Sequence, residues 1–236
     1  MAVGVPRRTA LGHDPDMNPV RITASAGTIH VTAEARGDVV IDRGQEHPMG
    51  GVLEVKGTSA GVVMRVPIGT GVVIGSASGA VKLHGEFGEV RVTTRTGPIE
   101  VEACTSIDVR TMSGRVEIGT ISGDARIKTA SGRVTVSRAE GELHVASVSG
   151  QIDVVEAAGP VRAKTVNGTV EVAMTRAADA RADSVSGSVK IALPDGVHPK
   201  ASLVSMSGGC SCEVVQGDDC CVTGRTVSGR ITIVER

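Results

Sequence analysis

Four of the chain's five cysteines crowd near its end, as Cys210, Cys212, Cys220 and Cys221. Asp218 and Asp219 lie beside them, and Asp195 and His198 a short way upstream. Thiolate, imidazole and carboxylate are the usual ligands of zinc. His198, Asp219, Cys220 and Cys221 are therefore the candidate metal ligands. The spacing Cys-x-Cys-x7-Cys-Cys matches no standard zinc pattern, so residue type carries that reading. A redox pair of Cys220 with Cys221 or Cys212 is the alternative chemistry. Cys210 and Cys212 read first as small buried hydrophobes. Asp218-Asp219 is the one corner where clustered carboxylates could hydrolyse a polysaccharide, and no Ser-His-Asp set or phosphate loop is visible. The chain is read as a non-enzyme with no catalytic residue and no cofactor.

Glycine sets the elements that must hold these residues. It recurs every nine residues at Gly79, Gly88 and Gly97, then from Gly114 through Gly123, Gly132, Gly141, Gly150 and Gly159 to Gly168. Every second glycine closes a phrase such as Thr129-Ala130-Ser131-Gly132 or Ser147-Val148-Ser149-Gly150. Fixed-period self-similarity marks a repeat architecture. Counting each glycine as position one, positions three and five are apolar: Val116 and Ile118, Ala125 and Ile127, Val134 and Val136, Leu143 and Val145. Positions two and four are polar. That alternation is a strand with one face buried. Position eight is apolar again (Ile121, Ala130, Ala139, Val148), which predicts a bend before each glycine. Two nines make a coil of about 18 residues with two strands, whose copies stack in parallel. The fold class is all-β, a parallel β-solenoid or β-helix.

Residues 1–19 read as a disordered arm, 20–69 as an irregular N-terminal β cap, and 70–236 as solenoid repeats, with 20–236 one continuous domain. Glycine numbers 31 of 236 residues, too many for ordinary helices. There is no Trp or Tyr, and Phe87 is the single aromatic ring besides histidine, so the core must be aliphatic. Lys plus Arg number 25 against 26 Asp plus Glu, which gives no global pull toward polyanions. Without base-stacking rings, nucleic acid is not an expected partner. No apolar run reaches the ~18 residues of a membrane span. No apolar stretch follows Arg7-Arg8 to make an export signal, so the chain is read as cytoplasmic.

The repeated [Ser/Thr]-x-Ser-Gly-x-[Val/Ile]-x-[Val/Ile] phrase, with Val66-Pro67 leading into it, resembles the bacterial β-solenoid domains called "putative adhesin", a family of unknown function. The resemblance covers roughly Val20 to Arg236. It implies a stacked-strand fold and, for some members, a link to envelope stress. It carries over no catalytic residue.

A non-catalytic scaffold is the expectation, presenting a flat sheet or an open end to another protein or to itself. Position four of the second strand reads Arg91, Asp108, Arg126, His144, Arg162 and Arg181, a line that leans basic, and its Arg91, Arg126, His144, Arg162 and Arg181 could meet a polyanion or an envelope surface. Position seven is always Ser or Thr before a closing glycine, which reads as a corner ladder of hydroxyls. The final strand, carrying Ile231 and Ile233, begins a coil that the sequence does not complete. It therefore reads as an open edge, and a homodimer through the C-terminal coils is expected.

Overall fold

The protein is described by a computed structural model, which covers residues 10–12, 19–49, 52–57 and 59–236. It is an all-β parallel solenoid, with no helix among the described residues. Two compact units divide the chain, Met1–Asp108 and Val109–Arg236.

The first unit holds β1 (Ala10–Gly12), β2 (Val20–Ala24), β3 (Ile29–Glu34), β4 (Asp38–Arg43), β5 (Gln45–Met49), β6 (Val52–Gly57), β7 (Val62–Pro67), β8 (Val72–Ser78), β9 (Val81–Thr96) and the start of β10 (Ile99–Ser113). Val20, Ile22, Ile29 and Val31 alternate inward and are fully buried. Their strands are a solenoid rung flanked on both sides: β2 pairs in parallel with β6 and β8, and β3 with β7 and β9. The outermost rung is thus β6–β7, which comes later in the sequence. It is covered by β4 and β5, antiparallel to β7 and β6, and β1 pairs antiparallel with β4. Of the arm expected over 1–19, residues 1–9 and 13–18 lie outside the described residues.

The second unit continues with β11 (Val116–Ile121), β12 (Ala125–Ser131), β13 (Val134–Ala139), β14 (Leu143–Ser149), β15 (Ile152–Ala157), β16 (Val161–Asn167), β17 (Val170–Met174), β18 (Ala180–Ser186), β19 (Val189–Leu193), β20 (Pro199–Ser207), β21 (Cys210–Cys212), β22 (Cys220–Ser228) and β23 (Ile231–Glu235). Val116 pairs with Val134 and Val134 with Ile152, the 18-residue step that the glycines set. Odd strands from β11 to β19 stack as one sheet and even strands from β12 to β18 as the other. Positions three and five point inward throughout, and Val134, Val136, Ile127 and Leu143 have no exposed surface.

Position eight separates the two strands of a coil. On the odd strands it is inward, as with Ile121 and Ala139; on the even strands it faces out, as with Val148 and Val166. The expected bend before each glycine therefore holds for one corner only. On the even strands alternation simply continues, and position seven goes in. Thr94, Thr111 and Thr129 at this position are buried, and each hydroxyl donates to the carbonyl two residues on, at 3.1, 3.3 and 3.0 Å, whereas the buried hydroxyls of Ser147, Thr165, Ser184 and Thr226 have no hydrogen-bond partner among the described residues. The corner that follows needs glycine twice over. Gly150 has φ of 154°, and a Cβ there would fall on the carbonyl oxygen of Gly132 in the coil before.

At its C-terminal end the second unit departs from sequential stacking. β22 pairs in parallel with β18 on one side and β20 on the other; β23 lies likewise between β19 and β21. The last segment of the chain fills a slot between two earlier ones, and β20–β21 is outermost. One inward column tapers toward this end, through Ile127, Val145, Ala163, Ala182 and Gly224 in register. Leu203 of the outer rung stands over Gly224.

Candidate functional site

The corner richest in metal-ligand residue types comes together only in part. His198 and Asp219 hold matching places in the phrases that run from Gly187 to Gly208 and from Gly208 to Gly229, each 21 residues long, and they meet: the His198 N–H donates to Asp219 Oδ2 at 2.8 Å, and His198 Nδ1 lies 3.5 Å from the same oxygen. Cys220 and Cys221 do not join them as a set. Alternation turns Cys220 into the core and Cys221 out to solvent, where its N–H donates to Asp179 Oδ1 at 2.9 Å. Burial, reinforced by the negative charges of Asp179, Asp219 and Cys221, pushes the Cys220 thiol above its ordinary pKa. A thiol held neutral is a poor ligand and a poor nucleophile. Among the described residues no group of three or more His, Cys, Asp or Glu is placed to hold a metal.

The outer rung corrects two further expectations. Ile231 and Ile233 are fully buried, because β23 is hydrogen-bonded on both sides and is not an edge. Cys210 is exposed and Cys212 half-buried, where small buried hydrophobes were expected. They pair with Ile231 and Ile233, so they occupy inward positions, but no further rung pairs with them among the described residues. Leu203 is half-buried for the same reason, and Met206 is 81% exposed. The edge that the sequence places at β23 is at β20–β21.

Register aligns Arg126, His144, Arg162 and Arg181 in one column on the outer face of the even strands. A second column, two residues along, holds Lys128, Ala146, Lys164, Asp183 and Arg225. Acids on this face are engaged. Glu142 lies 2.9 Å from His144 Nε2 and 3.8 Å from Arg162 Nε, and Asp183 is 2.9 Å from Arg181 Nε. Arg126, Lys128, Lys164 and Arg225 form no ion pair among the described residues. Arg91, in the first unit, lies 3.3 Å from Glu89.

A third column, invisible to the sequence reading, runs beside these two. Val148, Val166, Val185 and Val227, with Met206 on the outer rung, are 41–81% exposed. Their register follows from the flanking Ser149, Asn167, Ser186, Ser228 and Ser207. The signal was present: an apolar residue between two hydroxyls in each closing phrase. Only the direction of position eight was misassigned.

The opposite sheet carries a shallow groove of about 420 Å³, floored by Ala173 and Ala192 and flanked by Asp153, Glu171, Lys190 and Arg236.

Coiled strands, aliphatic core and glycine corners define a β-solenoid repeat protein. The chain belongs to the family described as Toastrack DUF4097, whose model matches residues 15–219. Two solved structures are similar. One is a "putative adhesin" from Bacteroides fragilis NCTC 9343, at 14% identity and a TM-score of 0.48, covering 98% of this chain and 100% of that one. The other is a "putative cell adhesion protein" from Clostridium sporogenes ATCC 15579, at 8% identity and a TM-score of 0.26, again over 98% of this chain and 100% of that one. No curated protein matches the chain.

Proposed function

We propose that this protein is a non-catalytic interaction scaffold whose second unit joins a second copy of itself through the outer rung β20–β21. One observation carries the reading: that rung has paired on one side only, leaving Leu203 and Cys212 half-buried at the end of an otherwise closed aliphatic core. Unpaired strand edges recruit other strands. In the first unit the outer rung is covered by β4 and β5; β20 and β21 have no such cover among the described residues. A contact between two identical ends is self-complementary about a two-fold axis, so it closes as a dimer and does not propagate.

Light scattering on the whole chain tests this. The expected result is a dimer at micromolar concentration that dissociates in the Leu203→Lys variant while the circular dichroism of the fold is retained. A wild-type monomer overturns the proposal, and so does a dimer indifferent to Leu203→Lys.

A second reading, an anionic partner on the even-strand face, is favoured by the four cations without ion pairs there.

A further inference from the structure

We propose that the outer face of β12, β14, β16, β18 and β22 docks on an anionic lipid bilayer. The inference specifies the partner of the even-strand face and rests on the scaffold reading only in that the protein acts by binding.

Two kinds of surface lie side by side there. The aliphatic column from Val148 to Met206 stands beside the glycine corner, and the column of Lys128, Lys164 and Arg225 runs parallel to it, two residues back along each strand. At about 3.3 Å per residue the columns are ~7 Å apart, and at about 4.8 Å per strand the aliphatic ridge is straight for some 20 Å. Monomeric proteins seldom leave so regular an apolar row in water without a use.

Charge complementarity then selects the partner. Of the acids on this face, Glu142 and Asp183 lie against His144 and Arg181, and Asp124 and Asp179 accept the backbone N–H groups of Glu142, at 3.1 Å, and Cys221, so the latter two keep their charge. The four cations Arg126, Lys128, Lys164 and Arg225 form no ion pair among the described residues. Counting Arg126, Lys128, Arg162, Lys164, Arg181 and Arg225 against Asp124, Glu142, Asp179 and Asp183, the face carries a modest excess of positive charge beside an apolar ridge, the pairing of features that holds amphipathic surfaces at an anionic membrane interface.

An acidic protein could answer the same charge, but the shape favours the bilayer. Protein interfaces concentrate their energy in large anchors seated in pockets. This ridge offers only valine and methionine tips in a flat row, and the described grooves lie on other surfaces, lined from the odd strands and a corner. A bilayer needs no shape complementarity. It accepts short aliphatic tips at the depth of the headgroups while phosphates meet the cations.

Sedimentation of the whole chain with phosphatidylglycerol–phosphatidylcholine vesicles, and with phosphatidylcholine alone, decides. The protein is expected to pellet with the anionic vesicles only, and to be released by salt. Lys128→Glu with Lys164→Glu should weaken binding roughly thirtyfold or more. Val166→Asp with Val185→Asp should also abolish pelleting, with melting unchanged because both sites face out. No binding to anionic vesicles at low salt overturns the proposal. Loss in the charge variant without loss in the valine variant also overturns it, and would assign the face to a soluble polyanion; polyphosphate competition would show this directly. The light-scattering dimer, measured on the same variants, keeps the two proposals apart: vesicle binding lost with the dimer intact bears on this one alone.

Discussion

Leu203 closes the core over Gly224. The two residues are in register on adjacent strands, and a Cβ built on Gly224 would stand 3.0 Å from Leu203 Cδ2 and 2.9 Å from Ile231 Cγ2. Glycine at an inward position would ordinarily leave a void. Here the leucine of the outer rung leans into it, so the smallest residue of the tapering column lies beneath one of the two largest.

Adding bulk at Gly224 should therefore push Leu203 outward. Gly224→Val is expected to destabilise the second unit by about 1–3 kcal/mol, the cost of overpacking. Leu203→Ala on the same chain should recover part of that loss, so the pair is non-additive in a denaturation double-mutant cycle. Strict additivity would mean the two side chains do not share that volume.

Alternation makes a sharper contrast one residue apart. Val134 is fully buried, and Val134→Asp would bury an unpaired carboxylate, a loss of about 3–5 kcal/mol. Thr135 faces out between Glu117 and Asp153 in the ladder. Thr135→Lys should be neutral or stabilising and Thr135→Asp mildly destabilising, by about 0.5 kcal/mol, because like charges would stack. Thermal melts of the three variants check the order.

The corner glycines differ in what they tolerate. Gly150→Ala meets the backbone of Gly132 at a φ of 154° and is expected to cost about 3 kcal/mol or more. Gly196 has a φ of 76° with open space around it, so Gly196→Ala should cost only the strain of that conformation, about 1 kcal/mol. Equal melting temperatures would contradict the stacked-corner geometry.

Burial pushes the Cys104 thiol up to about 12 from an ordinary 9.0. A thiol whose pKa is raised by folding stabilises the native state below the unfolded pKa. As pH rises past 9 the unfolded chain ionises and the native chain does not, so stability falls between pH 9 and 12. Cys104→Ala should flatten that part of the stability–pH curve. Thiol labelling at neutral pH should modify Cys210 and Cys221 and leave Cys104 untouched.

The repeating part of the fold was legible because each valine of positions three and five reports its own direction, and each closing glycine its own corner. The order of the rungs at the C-terminal end was not. The phrases containing β20 and β22 have the same length and the same pattern, so either could lie against β18. The 21-residue period puts Leu203 beside Gly224, and it does not say which of the two strands lies against β18. Ile231 and Ile233 consequently changed from edge residues to core, and Cys210 and Cys212 from core to edge. Of the candidate surfaces, the basic column could be read off the sequence. The aliphatic column beside it was hidden by an identical apolar position that turns inward on the odd strands.

The insertion of β22–β23 between its neighbours has a mechanical consequence. A terminal rung stacked last would peel away, its hydrogen bonds breaking one after another under a small load. β23 is bonded to β19 and β21 at once, so tension on Arg236 loads two parallel ladders in shear, and many bonds must yield together. In the first unit β2 is held the same way between β6 and β8. A strand clasped in this way can bear a pull along the chain without being stripped from its rung.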